Sequence, residues 1–434
     1  MMLLNPVDEI KKRLDIVTVI EEYLSLEKSS DRYVGYCPFH SNTNTPAFTV
    51  YPNDQRFWCF GCNKGGDVIT FLMEMEKKTF PAVIEEYAEK FGIEIRELSP
   101  TEKAIQEQAN RLYEILEAAT QIFHDCLMWG PEASGARVYL QHRGIDAETL
   151  ANFRIGYAPD SWDWLSTQLL SRGFTLKDIL TTGLGKMRRD GKGCYDFFRN
   201  RIIFPIQTNG KVMGFGGRIV SPSTTLTKYI NTPNTPVFSK RNALYGLVQA
   251  RRAIHERGSV TLVEGYMDML ALYQAGYKNT VSIMGISLTQ EQAELLGHHA
   301  KRAILAFDPD EAAELAVERL KIEKFTGLDL YIASLPGNKD PDELVKEDSD
   351  LWDSVIESAK PIPIYMTDYL INKHRPTDPK QRRDVANMVI PLIDSVVDPF
   401  EQVGYQQYLA EALGYKNFQL NPICPHCGKK YRKR

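Results

Sequence analysis

The sequence predicts a multidomain α+β protein. It has an N-terminal cysteine/histidine ribbon, a mixed α/β basic subdomain, an α/β domain on a mostly parallel sheet, and a C-terminal helical subdomain. Three observations carry this. Two metal-ligand pairs frame an alternating segment near the N-terminus, strands alternate with helices over 259–345, and two adjacent blocks carry opposite charge. At 434 residues the chain exceeds one hydrophobic core. Hydrophobic residues at 43% and charged residues at 25% exclude a disordered or fibrous chain. No apolar run reaches membrane length, so no membrane partner is expected. The opening MMLLNPVDEIKKRLD turns charged too soon for a secretory signal. A cytoplasmic protein is therefore expected. Its seven cysteines are not spaced as a disulfide framework, and in a reducing compartment paired cysteines favour metal.

The ribbon comes first. Cys37 and His40 form a C-x2-H pair, and Cys59 and Cys62 a C-x2-C pair 18 residues later. Four nitrogen and sulfur ligands at this spacing suit one tetrahedral zinc ion in a closed, structural site. Between the pairs, AFTVYP and RFWCF alternate as strands around the turn PND. The aromatics Phe48, Tyr51, Phe57, Trp58 and Phe60 have two readings. They fill a thin core, or some stay exposed and stack on single-stranded bases.

A helical pattern over 69–92 leads to ELSPTEKA (97–104), a polar hinge with a proline, and then a long helix over 104–129. Residues 137–159 read as helix, turn, helix and strand. The basic stretch follows. Residues 182–257 hold 14 Lys/Arg against three acids, an excess of +11. DFFRNRIIFPI and GKVMGFGGRIV read as strands. Gly214, Gly216 and Gly217 are no dinucleotide fingerprint, because no helix opens there. Cys126 and Cys194 read as ordinary core or surface residues.

Residues 260–358 reverse the sign, with 19 acids against eight Lys/Arg, a difference of −11. VTLVE, TVSIMG, RAILAF and DLYIASLP are strands. MDMLALYQAG and TQEQAELLGHHA are helices, the second capped by Thr289, and EAAELAVERLKIEKFTG is a third. This order predicts a parallel sheet with helices on both faces, whose sites lie at the carboxyl ends of the strands. Acids stand there in three pairs: Glu264 with Asp268, Asp308 with Asp310, and Asp340 with Asp342. Oxygen ligands without histidine or cysteine point to Mg2+ or Mn2+. Two such ions can clamp an in-line phosphoryl transfer.

VGYCPFH…TPAFTVYPNDQRFWCFGCNKGGDVITFLME resembles the zinc ribbon of bacterial DnaG-type DNA primases. YLQHRG, FRIGYAP, GFGGR, KYINTPNTPVFSK and LYGL lie in the order of that family's catalytic core. EGYMDMLALYQAG, MGISLT and LPGNKDPDELV resemble the primase form of a Toprim domain. The resemblance covers about residues 5–415. It implies synthesis of short RNA primers from ribonucleoside triphosphates on single-stranded DNA. Glu264 would be the acid nearest the chemistry and Asp308 and Asp310 the main metal ligands, with Asp268, Asp340 and Asp342 completing the charge network. Arg143 and Arg154 would face template or phosphate. Arg201, Arg218, Lys228 and Lys240 would hold template and triphosphate. Lysine serves there as a compact point charge and arginine as a two-pronged phosphate grip.

The chain departs from the family in several places. Asp308-Pro309-Asp310 stands where the family has glycine between the aspartates, and Ile286 where it has threonine. The single Cys424/Cys427 knuckle in the basic tail cannot close a tetrahedral site alone. Expected domains are 1–98 (ribbon with flanking helices), 99–258 (basic), 259–358 (Toprim), 359–418 (helical) and 419–434 (tail). The usual helicase-docking domain is expected to be absent, leaving a replicative helicase only as a possible partner, and the chain is expected to be a monomer. Two alternatives stand beside a primase. One is a Toprim-family nuclease or topoisomerase-like enzyme. The other is a single-stranded-DNA-binding remnant without catalysis.

Overall fold

The computed structural model describes residues 6–29, 32–41, 46–52, 54–93, 100–208, 210–220, 227–285, 288–307, 328–337 and 339–415. The chain divides into two compact units, Met1–Ala104 and Ile105–Arg434. The expected hinge overlaps the start of a helix, Pro100–Trp129. Proline fits a first helical turn, where its missing N–H costs nothing, so Pro100 opens the helix instead of breaking it.

The first unit holds an antiparallel sheet in sequential order: β1 (Glu27–Ser29), β2 (Arg32–Gly35), β3 (Phe48–Tyr51), β4 (Arg56–Cys59) and β5 (Gly65–Asp67). The hairpin expected from alternation is β3–β4, with Phe48 opposite Cys59 and Tyr51 opposite Arg56. Asp67 closes β5 and caps the next helix, Val68–Glu76, by accepting from the Thr70 amide at 2.9 Å. Phe48, Phe57 and Phe71 are buried together, the first two rings stacked with centroids 5.1 Å apart. The core reading therefore holds for Phe48 and Phe57, while Tyr51, Trp58 and Phe60 are half-buried. Gly65 has a specific cause: a Cβ there would lie 2.1 Å from the Trp58 indole.

The second unit contains two sheets. In the basic region, β6 (Gly156–Ala158) pairs with β9 (Arg201–Thr208), which pairs with β10 (Lys211–Ile219), which pairs with β11 (Tyr229–Asn231), all antiparallel. A small hairpin, β7 (Gly185–Met187) with β8 (Cys194–Asp196), stands apart from this sheet. Of the two readings for Cys126 and Cys194, core or surface, both residues take the core.

The acidic region forms the predicted parallel sheet. Strands β12 (Ser259–Val263), β13 (Thr280–Ser282), β14 (Arg302–Leu305) and β15 (Asp329–Ile332) run parallel in the order β13-β12-β14-β15, and β16 (Lys360–Pro361) closes one edge antiparallel. Thr289 caps the helix Gln290–Gly297 in a full capping box. The helix read over EAAELAVERLKIEKFTG lies outside the described residues, as do Asp308, Pro309, Asp310, Ile286 and the Cys424/Cys427 knuckle. Three helices follow, Ile362–His374, Pro379–Asp394 and Pro399–Ala412. Their Leu370, Val389, Leu392 and Leu409 share one core with Leu305 and Ile332 of the parallel sheet. Among the described residues no helix is long and apolar enough to cross a membrane.

Candidate functional site

The cysteine/histidine tetrad assembles in the first unit. One ligand atom from each of Cys37, His40, Cys59 and Cys62 lies within 4.8 Å of the others. Cys37 Sγ is 3.8 Å from Cys62 Sγ, and Cys59 Sγ is 3.7 Å from His40 Nδ1. A tetrahedron with zinc–sulfur bonds of about 2.3 Å has edges of about 3.8 Å, so the spacing fits zinc. The local chain explains the placement. Cys59 ends β4, the Asn63 amide donates to its carbonyl at 2.9 Å to close the turn that carries Cys62, and the chain leaves that turn through a positive φ of 59° at Asn63. Gly61 is required there, because a Cβ would lie 2.4 Å from His40 Nε2. Burial pushes the Cys37 thiol up to about 12. At Cys59 burial also opposes ionisation, but the Cys62 and Gly61 amides and the neighbouring thiols outweigh it and its pKa falls.

In the second unit Glu264 and Asp268 follow β12 of the parallel sheet, and Asp340 follows β15. Glu264 directly follows β12, and its carbonyl accepts from Ser282 Oγ of β13 at 2.8 Å. Gly265 opens the helix Tyr266–Gln274, whose first turn holds Asp268. A Cβ at Gly265 would lie 2.3 Å from Asp268 Oδ2, so glycine lets both acids share one tight turn. Strand β14, which precedes Asp308 and Asp310, is the parallel neighbour of β12. Asp340 caps the helix Pro341–Glu347, accepting from the Glu343 amide at 2.7 Å.

Asp342 and Arg143 meet each other. Asp342 is buried and ion-paired with Arg143, and Lys346 Nζ reaches it at 2.6 Å. Lys346 also donates to the Arg143 carbonyl at 2.6 Å. This triad joins the end of the helix Ser134–His142 to the acidic domain. Asp342, expected on a metal ion, is thus neutralised by two protein cations, and Arg143, expected on template or phosphate, is engaged by a carboxylate. Arg154 likewise pairs with Glu117 at 2.6 Å.

The basic residues divide. Arg218 on β10 donates from Nε to the Tyr229 hydroxyl at 3.1 Å, and its guanidinium lies 4.2 Å from the Tyr139 ring. Lys228 is exposed at the start of β11. Lys240 reaches the acidic sheet: its Nζ is 3.2 Å from the Cβ position of Gly285, just beyond β13. The residue is exposed overall, yet desolvation of its ammonium lowers its pKa. Its segment is tied down by a backbone bridge from Tyr245 to Ser282, with N–H···O distances of 2.9 Å both ways. Ser282 therefore contacts both the Glu264 turn and the segment carrying Lys240. Its role was not legible in the sequence, where TVSIMG reads only as a buried strand.

Arg201 requires a correction. It is 5% exposed, and its guanidinium donates to the carbonyls of Gly217 (3.2 Å), Lys228 (3.2 Å) and Thr227 (2.8 Å). Burial, with the charge of Arg199, lowers its pKa. A guanidinium enclosed by backbone carbonyls is not available to grip phosphate; it shapes the chain that presents Lys228. Arg201→Ala would remove three hydrogen bonds to carbonyls, one of which (Lys228) keeps the Ile219 amide as a partner, and a destabilisation of about 3 kcal/mol is expected, read as a lower midpoint in denaturant unfolding. An unchanged midpoint would show that water replaces the side chain at no cost.

Comparison with known proteins agrees with this layout. Family models match as CHC2 zinc finger over residues 3–103 and as the N-terminal domain of the DNA primase catalytic core over 123–251. Toprim-like matches over 261–345, and the DnaB-helicase binding domain of primase over 364–415. The last match overturns the expectation that a helicase-docking domain is missing. The sequence marks the region of these helices only as a helical subdomain, 359–418. The chain is 38% identical to a DNA primase of Halalkalibacterium halodurans over 79% of its own length and 57% of that relative. It is 33% identical to one of Synechocystis over 96% and 68%. It thus spans little more than half to two thirds of the length of these relatives. Among solved structures, the zinc-binding and RNA polymerase domains of Aquifex aeolicus primase match with 30% identity and a TM-score of 0.60, covering 95% of this chain and all of that one. A DnaG primase catalytic domain bound to single-stranded DNA matches with 31% identity and a TM-score of 0.63, over 71% and 98%. With the zinc ribbon, the primase core, the Toprim sheet and the helicase-binding helices in the family's order, the chain belongs to the DnaG-type DNA primases.

Proposed function

We propose that this chain makes short RNA primers, joining ribonucleoside triphosphates on a single-stranded DNA template in the cytoplasm. One observation carries the reading. Glu264 and the segment bearing Lys240 are both fastened to Ser282, so acidic and basic chemistry meet at one end of the parallel sheet. Glu264, Asp268, Asp308, Asp310 and Asp340 would hold divalent cations there. When bound, Mg2+ or Mn2+ would lower the pKa of the primer 3′-hydroxyl and stabilise charge on the leaving pyrophosphate. Lys240 and Lys228 would place the incoming triphosphate, and Arg218, seated against the Tyr139 ring, would grip phosphate oxygens. Arg143 and Asp342 would keep the acidic helix at its working distance. The tetrad Cys37, His40, Cys59 and Cys62 would hold zinc as a purely structural ion.

The test is direct. Single-stranded template, labelled ribonucleotides and Mg2+ should yield short RNA that disappears with chelator. DNA cutting without triphosphates, or template binding with no product, would overturn the reading. Lys228→Ala should raise the KM for ribonucleotide about tenfold, the value of one charge-assisted phosphate contact at about 1.4 kcal/mol. An unchanged KM would remove Lys228 from the triphosphate site.

The helices matched to helicase binding would dock the replicative helicase through their outer face. Phe400 is 88% exposed and Val397 65%. An exposed aromatic beside an aliphatic neighbour is the kind of anchor that dominates protein interfaces. Phe400→Ser should weaken helicase binding about tenfold or more in a pull-down or titration, with the unfolding midpoint unmoved. Equal binding by the variant would place the dock elsewhere.

A further inference from the structure

One tyrosine of the acidic turn reaches into the basic sheet. Tyr266, two residues after Glu264 and two before Asp268, is 3% exposed. Its ring stacks on Phe204 of β9 with centroids 4.7 Å apart at 14°, and lies against Tyr229 and Tyr245. Its hydroxyl donates to Asn231 Oδ1 of β11 at 2.6 Å. Gly216 of β10 pairs with Asn231 on one side and Phe204 on the other. A Cβ at Gly216 would lie 2.2 Å from the Tyr266 oxygen and 2.3 Å from its Cζ. The middle glycine of GFGG thus clears the space through which this hydroxyl reaches the basic strand.

We infer that Tyr266 is a positioning residue: through the gap at Gly216 its hydroxyl bonds Asn231 and fixes β11, with Lys228 at its start, relative to Glu264 and Asp268. The inference rests on the primase reading above. The segment of Lys240 has its own backbone bridge to Ser282, and β11 is joined to the acidic turn by the Tyr266 hydrogen bond to Asn231. Apolar ring contacts resist separation but tolerate sliding, because dispersion and burial have no direction. A buried hydrogen bond of 2.6 Å supplies the direction. Misplacing a substrate-holding group by about 1 Å can cost about 100-fold in rate, so a single bond at this junction matters to the reaction and not only to the fold.

The neighbouring Tyr245 supplies the control. It is buried in the same aromatic cluster, and its hydroxyl has no hydrogen-bond partner among the described residues. In the full chain, Tyr266→Phe should raise the KM for ribonucleotide about tenfold, with template affinity unchanged. Tyr245→Phe should stay within about twofold of the parent. Asn231→Ala should reproduce the Tyr266→Phe effect, and the double variant should be no worse than either single one, because both remove the same bond. Equal KM values for Tyr266→Phe and Tyr245→Phe, or additive effects at Tyr266 and Asn231, would overturn the inference while leaving the primase reading intact. A parent chain that makes no primer overturns both.

Discussion

Glu264→Gln is expected to lower primer synthesis by about 1,000-fold, almost entirely in kcat, while single-stranded DNA binding and the unfolding midpoint hold. The geometry isolates the charge. The Glu264 backbone is fixed independently of its carboxylate, because the carbonyl accepts from Ser282 Oγ and the next residue opens a helix. Glutamine keeps the shape and one oxygen but not the negative charge, so the turn should persist while its attraction for divalent cations falls. A transition state for phosphoryl transfer spreads charge over the attacking and leaving oxygens. Losing a group proposed to hold a neutralising cation should therefore act on the barrier rather than on substrate binding. Template affinity is the internal control, since phosphate contacts with the DNA backbone depend on lysines and arginines elsewhere. Retention of activity within about fivefold of the parent would remove Glu264 from the reacting centre, because one metal-ligating carboxylate is worth far more than that.

What could be read in the sequence was local chemistry. The ribbon ligands announce themselves because a metal site needs fixed residue types at short spacing, and the hairpin between them follows from alternation. Thr289 declares a helix start because its hydroxyl must satisfy an amide three residues on, as it does. The acids Glu264 and Asp268 were placed by the rule that parallel sheets work at their carboxyl ends. What failed depended on burial or on distant partners. Arg201 looks like any other basic residue of its stretch; only the folded sheet shows it enclosed by carbonyls from residues 217, 227 and 228. Arg143 and Asp342 lie 199 residues apart, and no local pattern predicts that two charges so distant neutralise each other. The helices over 362–412 carry an apolar face that must cover the Toprim core, and that face says nothing about what the opposite side binds. Tyr266 falls between these cases. EGYMD and GFGG are both conspicuous, but that one fills the gap left by the other is a fact of packing.

Stripping zinc with a chelator is expected to unfold the sheet of the first unit, leaving residues 105–415 protected. The unit has a real core, with Phe48, Val50, Phe57 and Phe71 buried beside flanking helices. Yet its strands are only three or four residues long, at the short end of the usual range, so each contributes few ladder hydrogen bonds. The metal holds the sheet at its open end, where Cys59 at the close of β4 lies opposite Phe48 of β3. Structural zinc contributes about 10–16 kcal/mol of binding energy, as large as a small domain's whole margin of stability, about 5–15 kcal/mol. Cys59→Ser should act like the chelator, because a hydroxyl is a poor zinc ligand and three remaining ligands leave the site open. Amide hydrogen exchange reads the result by region. In the zinc-bound chain the β3 and β4 amides should exchange slowly. After chelation they should exchange at rates near those of an unfolded peptide, while β9, β12 and β14 keep their protection. Slow exchange in β3 and β4 after zinc is removed would show that the aromatic core, not the metal, holds the ribbon. Readdition of zinc should restore protection in proportion to the metal bound, since folding and ligation are here a single equilibrium.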